Sequence, residues 1–285
     1  MVDSLTEIRA GDRFAFGANW SSFIALVDEG RIDVATRSLQ QALGVDRLTG
    51  KSFVDIGCGS GLFSLAAHRL GAQVYSFDFD PDSVAATAAL RRRFAPDSDW
   101  TVAAGSILDP ATTAALGRFD VVYSWGVLHH TGQLWPALAA TVDLVAPGGA
   151  LFVSIYNDQG MASRQWRRVK RLYNRSGRLG RLLLVGLSAL YLGRRRPLRI
   201  VRAMLRPGRR PVRSAPVPRT RGMSRRHDLV DWVGGYPFEV AKPEEVFRFV
   251  HERGFDLRYL TTCGAGIGCN EYVFQRRGRP ARQDP

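Results

Sequence analysis

Cysteine is scarce in this 285-residue chain. Cys58, Cys263 and Cys269 form an odd set without C-x-x-C spacing, which argues against both a disulfide framework and a zinc site. Lysine is as rare, with Lys51, Lys170 and Lys242 standing against 37 arginines. No apolar run reaches the ~20 residues that a membrane span requires. Asp3 and Glu7 fall where a secretory signal would carry its charged-then-apolar pattern, so the expectation is a cytoplasmic protein with reduced thiols. Acidic residues are missing from 164–226, which holds 21 Arg or Lys. The net charge of +14 is therefore local, because the rest of the chain carries −7. A basic segment on a mildly acidic domain is not the footprint of a nucleic-acid-binding fold.

What is present begins at residue 53. Phe53-Val54-Asp55-Ile56 is a short apolar run with one acid, and it feeds Gly57-Cys58-Gly59-Ser60-Gly61 and then a small-residue helix over 62–70. This is a strand–turn–helix whose backbone is bare where the strand ends. A dinucleotide fingerprint would need Gly or Ala where Leu62 stands, and the glycines here read G-x-G-x-G. Further strands are expected over 73–77, 100–104, 119–124 and 150–156, with helices over 81–94 and 134–145. Alternation of this kind predicts an α/β fold with a doubly wound, mostly parallel sheet and ligands at the strands' carboxyl ends.

The ordered set of Asp55-x-Gly-x-Gly-x-Gly, Asp78, an aromatic-rich fourth strand and Leu144-Val145-Ala146-Pro147-Gly148-Gly149 resembles the class I S-adenosylmethionine-dependent methyltransferases. The resemblance is strong over 50–160 and resumes at 243–277, where a helix and two strands over 257–260 and 272–275 match the family's closing antiparallel pair. It implies a seven-stranded Rossmann-like sheet and S-adenosylmethionine as cofactor. It also implies methyl transfer to a small-molecule or carrier-bound acceptor, at a hydroxyl or carboxyl oxygen. A protein, peptide or RNA acceptor, or a lipid-linked substrate at a membrane surface, is the alternative.

Residue by residue, the resemblance places the cofactor on Asp55, Gly57, Cys58, Gly59 and Gly61 of the loop. The ribose hydroxyls fall to Asp78, the adenine surroundings to Phe79, Ser106 and Ile107, and the fourth-strand edge to Ser124. His129 and His130 follow the fourth strand at the cleft edge, where an imidazole can remove an acceptor's proton. Tyr156 stands with them as a catalytic candidate. In similar ubiquinone-pathway O-methyltransferases this turn reads Glu-x-x-Glu-His and can hold a divalent metal. Here the matching positions are Gly126, His129 and His130, so no metal is expected. Asn19, Trp20, Asn157, His227, Asp231 and Glu239 are candidate acceptor contacts.

Five regions are expected: an N-terminal helical lid (1–50), the cofactor core (51–160), a basic insertion (161–226), a substrate-side loop with the last helix and strand pair (227–277), and a tail (278–285). Within the insertion, 163–174 is a basic helix with Trp166, Val169 and Tyr173 on one side, and 182–192 is nearly all apolar. A helix opening at Pro197 carries Leu198, Val201 and Leu205 in one stripe, and a Pro/Arg/Ser-rich stretch runs to Arg221. An apolar run between arginines suits an anionic membrane surface reached through 164–213. It equally suits a helical cover over the acceptor cleft, the reading preferred here, or an oligomer contact. An RNA arm would interleave more stacking aromatics than Trp166, Tyr173 and Tyr191 provide.

Overall fold

The computed structural model describes residues 4–193, 221, 225–264, 266 and 268–278. The helix expected at Pro197 and the stretch from 207 to 220 lie outside the described residues.

Seven strands form one sheet: β1 (Ser52–Ile56), β2 (Gln73–Asp78), β3 (Thr101–Ala104), β4 (Phe119–Trp125), β5 (Val145–Tyr156), β6 (Phe255–Thr261) and β7 (Cys269–Arg276). Their order is β3-β2-β1-β4-β5-β7-β6. All neighbours are parallel except β7, which runs antiparallel to both β5 and β6. The chain winds outward from β1 through β2 to β3, then restarts at β4 on the other side. The crevice between β1 and β4 is therefore the switch point where such sheets bind ligands.

Burial on both faces explains the apolar strands. In β1, Phe53 faces one core and Val54 and Ile56 the other. On the first face pack α3 (Glu29–Leu43), α4 (Leu62–Arg69) and α5 (Pro81–Phe94), and on the second α7 (Leu134–Asp143) and α11 (Pro243–His251). Pro81 and Pro243 each sit in a first turn, where their missing N–H costs nothing. The β3–β4 link holds a helix the sequence analysis did not name, α6 (Pro110–Leu116). Asp109 caps it by accepting the Ala111 N–H at 3.2 Å, a signal readable from Asp-Pro alone.

Strand β5 begins at Val145, five residues before the expected start. Val145 pairs with Phe119 and Ala150 with Val121, so the Pro147-Gly148-Gly149 stretch bulges out of the ladder. A Cβ on Gly149 would lie 2.9 Å from the carbonyls of Ala146 and Asp120, which is why the bulge closes on glycine.

The N-terminal region contains α1 (Ser4–Ala10), α2 (Phe16–Ile24) and α3. The insertion opens with α8 (Met161–Arg175) and α9 (Arg178–Gly193). Residues 225–234, expected as a loop, are helical: α10 (Arg225–Gly234). Glycines at 234 and 235 gave that stretch a loop-like composition, but they sit where the helix ends and its neighbours press close. A Cβ on Gly234 would meet the Phe14 ring at 2.3 Å, and one on Gly235 would meet the His130 ring at 2.7 Å.

Candidate active site

A cavity of about 1060 Å³ opens at the carboxyl ends of β1, β2 and β4 and continues over the end of β5. That is the upper end of the ~300–1,000 Å³ typical of ligand sites and leaves room for two molecules side by side.

Its floor is the loop after β1. Gly57, Gly59 and Gly61 have φ of 73°, 56° and 75°, a left-handed region where L side chains are strained. Each is also tightly walled: a Cβ would meet Val127 at 2.4 Å from Gly57, Trp20 at 2.9 Å from Gly59 and Thr87 at 2.8 Å from Gly61. Gly57, Cys58 and Gly59 line the cavity, whereas Gly61 stands behind it and shapes the turn. Cys58 is buried, accepts the Thr87 hydroxyl at 3.3 Å and is held as a thiol by that burial.

Two carboxylates sit beside the loop. Asp55 is buried and accepts the Ser64 hydroxyl. Ser64 in turn accepts from Ser76 at 2.8 Å, and Ser76 from the Trp100 indole N–H at 2.7 Å. This buried file fixes the Asp55 side chain, while desolvation lifts its pKa to about 7. At the end of β2, Asp78 accepts the Gly59 N–H through one oxygen and the Asp80 N–H through the other, both at 2.9 Å. Burial raises it to about 6. Phe79, Ser106 and Ile107 line the same end, and the Arg13 guanidinium lies 5.0 Å from the Phe79 ring centre.

The two histidines separate. His129 is fully buried, lies outside the cavity lining, and stacks on Tyr156 at 3.9 Å while its Nδ1 accepts the Tyr156 N–H at 3.3 Å. It is a core residue, because the turn after β4 points it back under β5. His130 lines the cavity. Its Nδ1 lies 2.6 Å from the Pro237 carbonyl, and a carbonyl only accepts, so Nδ1 carries the proton and Nε2 keeps the lone pair. Burial, then the cations of Lys170 and Arg13, bring His130 down to about 3. Tyr156 forms the adjoining wall, with burial holding its phenol well above the ordinary value. Trp232 stands edge-on to Tyr156 at 5.1 Å.

Of the other candidates, Trp20 and Asp231 line the cavity. Asn19 acts one step back, donating to Asp231 at 2.7 Å. Burial, then the neighbouring Asp228, raises Asp231 to about 8. The remaining four do not reach the cavity. Ser124 bonds the Ile56 carbonyl at 3.2 Å and ties β4 to β1. Asn157 donates to the Gly264 carbonyl at 3.1 Å and accepts from Asn270. His227 faces Ser22 at 2.9 Å across to α2. Glu239 accepts the Leu134 N–H at 3.0 and 3.2 Å, capping α7 from a distant segment, a role sequence distance conceals. The Thr131 hydroxyl bonds back to the Leu128 carbonyl at 2.7 Å and accepts the Gln133 N–H at 3.2 Å.

Sequence reasoning missed Arg221 and Glu271. Arg221 pairs with Glu271 at 2.9 Å, bonds the Tyr123 hydroxyl and lies 3.6 Å from the Trp125 ring centre, all on the cavity wall. Nothing in the sequence separates it from the surrounding arginines.

The pattern described as a methyltransferase domain matches residues 54–151, which span β1 to β5 and the cavity floor. Residues 54–151 thus carry a methyltransferase domain. It is 36% identical over 110 residues to a ubiquinone biosynthesis O-methyltransferase of Xanthomonas campestris, covering 39% of this chain and 45% of that one. It is 29% identical over 136 residues to one from Rhodopseudomonas palustris, covering 47% and 49%. The chain thus spans about half the length of the curated relatives it matches. The fold is that of PKMT2 from Rickettsia typhi, solved in complex with AdoHcy, with a TM-score of 0.53 at 16% identity over 87% of this chain and 53% of that one. S-adenosylmethionine is the cofactor that the sequence resemblance implies. The residues fit it: a glycine cradle no Cβ could enter, and two carboxylates at its ends.

Proposed function

We propose that this methyltransferase moves the methyl group of S-adenosylmethionine to an oxygen of a small-molecule acceptor held between His130, Tyr156 and Trp232. The cofactor supplies a methyl on a sulfonium, so the protein's task is to align the acceptor and exclude water. The loop from Gly57 to Gly59 cradles the cofactor, Asp55 faces its ammonium and Asp78 takes the ribose hydroxyls. The single observation that carries the acceptor side is the His130–Pro237 hydrogen bond, which leaves Nε2 as a lone-pair acceptor on the cavity wall. A pKa near 3 makes His130 a weak base, yet always a neutral one. A weak base suffices here, because a hydroxyl becomes strongly acidic as it gains the methyl group, and Nε2 takes that proton late in transfer. The names of the curated relatives support an oxygen acceptor.

The test is methyl transfer from labelled cofactor to panels of phenols, sugars, carboxylic acids and amines, with S-adenosylhomocysteine affinity measured separately by calorimetry. Oxygen acceptors should be methylated, and His130→Ala should lower turnover about 10²–10⁴-fold without changing that affinity. Transfer confined to amines would overturn the oxygen reading, and an unimpaired His130→Ala would remove the base.

A second partner, an anionic membrane surface, is favoured by α9. Leu179, Leu182, Leu183, Leu187 and Leu190 are 59–73% exposed there, and the helix is bounded by Arg178, Arg181 and Arg194-Arg195-Arg196 in sequence. Among the described residues no helix is long and apolar enough to cross a membrane, so the contact would be interfacial. Such a surface suits a lipid-linked acceptor.

A further inference from the structure

Residues 164–226 contain twenty arginines and a single lysine, Lys170. That lysine is fully buried. It belongs to a row of donors on α8 that grips one short segment. Arg167 Nε donates to the Phe238 carbonyl at 3.0 Å, Lys170 Nζ to the Trp232 carbonyl, Arg171 to the Tyr236 hydroxyl at 2.9 Å and Asn174 to the Gly234 carbonyl at 2.7 Å. Two of those carbonyls end α10, where the last turn lacks intrahelical donors and a cation is favourable. The gripped segment also contains Pro237, whose carbonyl fixes the His130 tautomer.

The ammonium sits in an aromatic box, 4.6 Å from the Trp232 ring centre, 4.7 Å from Phe238 and 5.5 Å from Tyr156. Tyr156 and Trp232 also line the cavity. A cap alone would accept arginine, which occupies every other basic position of the insertion. Only lysine can relieve its burial by losing a proton, since a guanidinium stays charged.

We propose that Lys170 is a positioning residue of the acceptor wall: it fixes Trp232 and Tyr156 against the acceptor, and its charge acts on the proton-accepting step through His130. The proposal rests on the methyl-transfer reading. Around the ammonium are Asp231 of α10 and Cys269 of β7, Tyr156 of β5, and His129 and His130 after β4, with Asp228 acting on Asp231 and Arg167 and Arg171 on its own helix. Asp231 and Cys269 favour the charged form, and the charged form holds both histidines down. Burial outweighs the favourable partners and brings Lys170 to about 7. As pH rises through 7 the cation is lost, His130 is relieved of its repulsion, and transfer should quicken.

Three lysines make the test direct. In the full chain with ¹³C-labelled lysine, the Lys170 signal, assigned by its absence in Lys170→Met, should titrate near 7. With an acceptor from the panels above, Lys170→Met and Lys170→Arg should each raise acceptor KM about tenfold. Both should leave S-adenosylhomocysteine affinity unchanged. The rise of kcat through pH 7 should vanish in both variants, held fast in Lys170→Met and slow in Lys170→Arg. A Lys170 signal titrating near 10 would overturn the proposal whatever the variants do, as would Lys170→Arg matching the wild type in KM and pH profile. Loss of cofactor binding by the wild type would instead sink the methyltransferase reading itself.

Discussion

Replacing Asp78 by Asn tests the cofactor end of the cavity with little change of shape. Each Asp78 oxygen already accepts one backbone N–H, from Gly59 and from Asp80, and each keeps a lone pair for a ribose hydroxyl. The amide retains one acceptor and turns its NH₂ toward a backbone donor. Losing charge-assisted bonds of this kind costs about 1.5–3 kcal/mol, or roughly 10- to 150-fold in affinity. The gap should depend on pH. With Asp78 at about 6, only about a tenth of it is ionised at pH 5, so the wild type loses about tenfold relative to pH 8. Asp55, at about 7, adds a further fall in both proteins, at lower pH in the variant because the Asp78 charge no longer helps to raise it. Calorimetry with S-adenosylhomocysteine at pH 5, 6.5 and 8 should therefore show the two proteins converging as pH falls. The folded state cannot explain such a loss. A carboxyl raised above its unfolded value opposes folding as pH climbs from about 4 toward 6, so the ligand-free Asn variant should melt no lower than the wild type at pH 7. Equal affinities at pH 8, or a gap that ignores pH, would refute the assignment of Asp78.

The buried file behind Asp55 makes a second prediction. Ser64→Ala removes the hydroxyl that stabilises the Asp55 carboxylate, so the pH below which cofactor affinity declines should move upward, and an unmoved midpoint would show the file to be inert. On the surface, the full chain should co-sediment with anionic vesicles at low salt and release at high salt as screening sets in, and Leu183→Glu with Leu187→Glu should abolish this. Binding to neutral and anionic vesicles alike, or to neither, would refute the charged-surface reading, and a concentration-dependent dimer lost in the same variant would assign the face to a second copy.

The sheet was legible because each strand obeys a local rule. A parallel strand buried on both faces must be continuously apolar, so 53–56, 119–124 and 150–156 read plainly. The glycine spacing read plainly too, since three left-handed turns in five residues admit few other residues. Legibility failed where a partner is distant in sequence. Glu239 caps α7 from 105 residues away, and no local pattern distinguishes that carboxylate from one that contacts a ligand. His129 and His130 are adjacent and chemically identical, so which one faces the cavity depends on a one-residue turn after β4 that only the packing of Tyr156 decides. Helix α10 was obscured by its own C-terminus, where glycines serve close packing against Phe14 and His130 and not a loop.

The insertion shows how charge can mislead and then inform. Counted as a block, 21 basic residues without an acid suggest a single purpose, a surface or a cover. In the structure the block divides at Ser176. On α8, Arg167, Lys170 and Arg171 spend their donors on the segment that orients His130, so this part is foundation for the acceptor wall. On α9, the leucines turn outward and the helix packs inward only through residues such as Leu184, Val185 and Leu192. Stability alone would have turned the leucines in, since burying each is worth roughly 1.5–3 kcal/mol. A helix that forgoes this on one face while its predecessor grips the segment carrying Pro237 indicates two functions in series, one holding the reaction geometry and one facing outward. A deletion spanning both would therefore lose transfer for the first reason and surface binding for the second. Substitutions confined to the exposed leucines of α9 should lose only the surface, because the packing against the segment that holds His130 runs through Leu184, Val185 and Leu192.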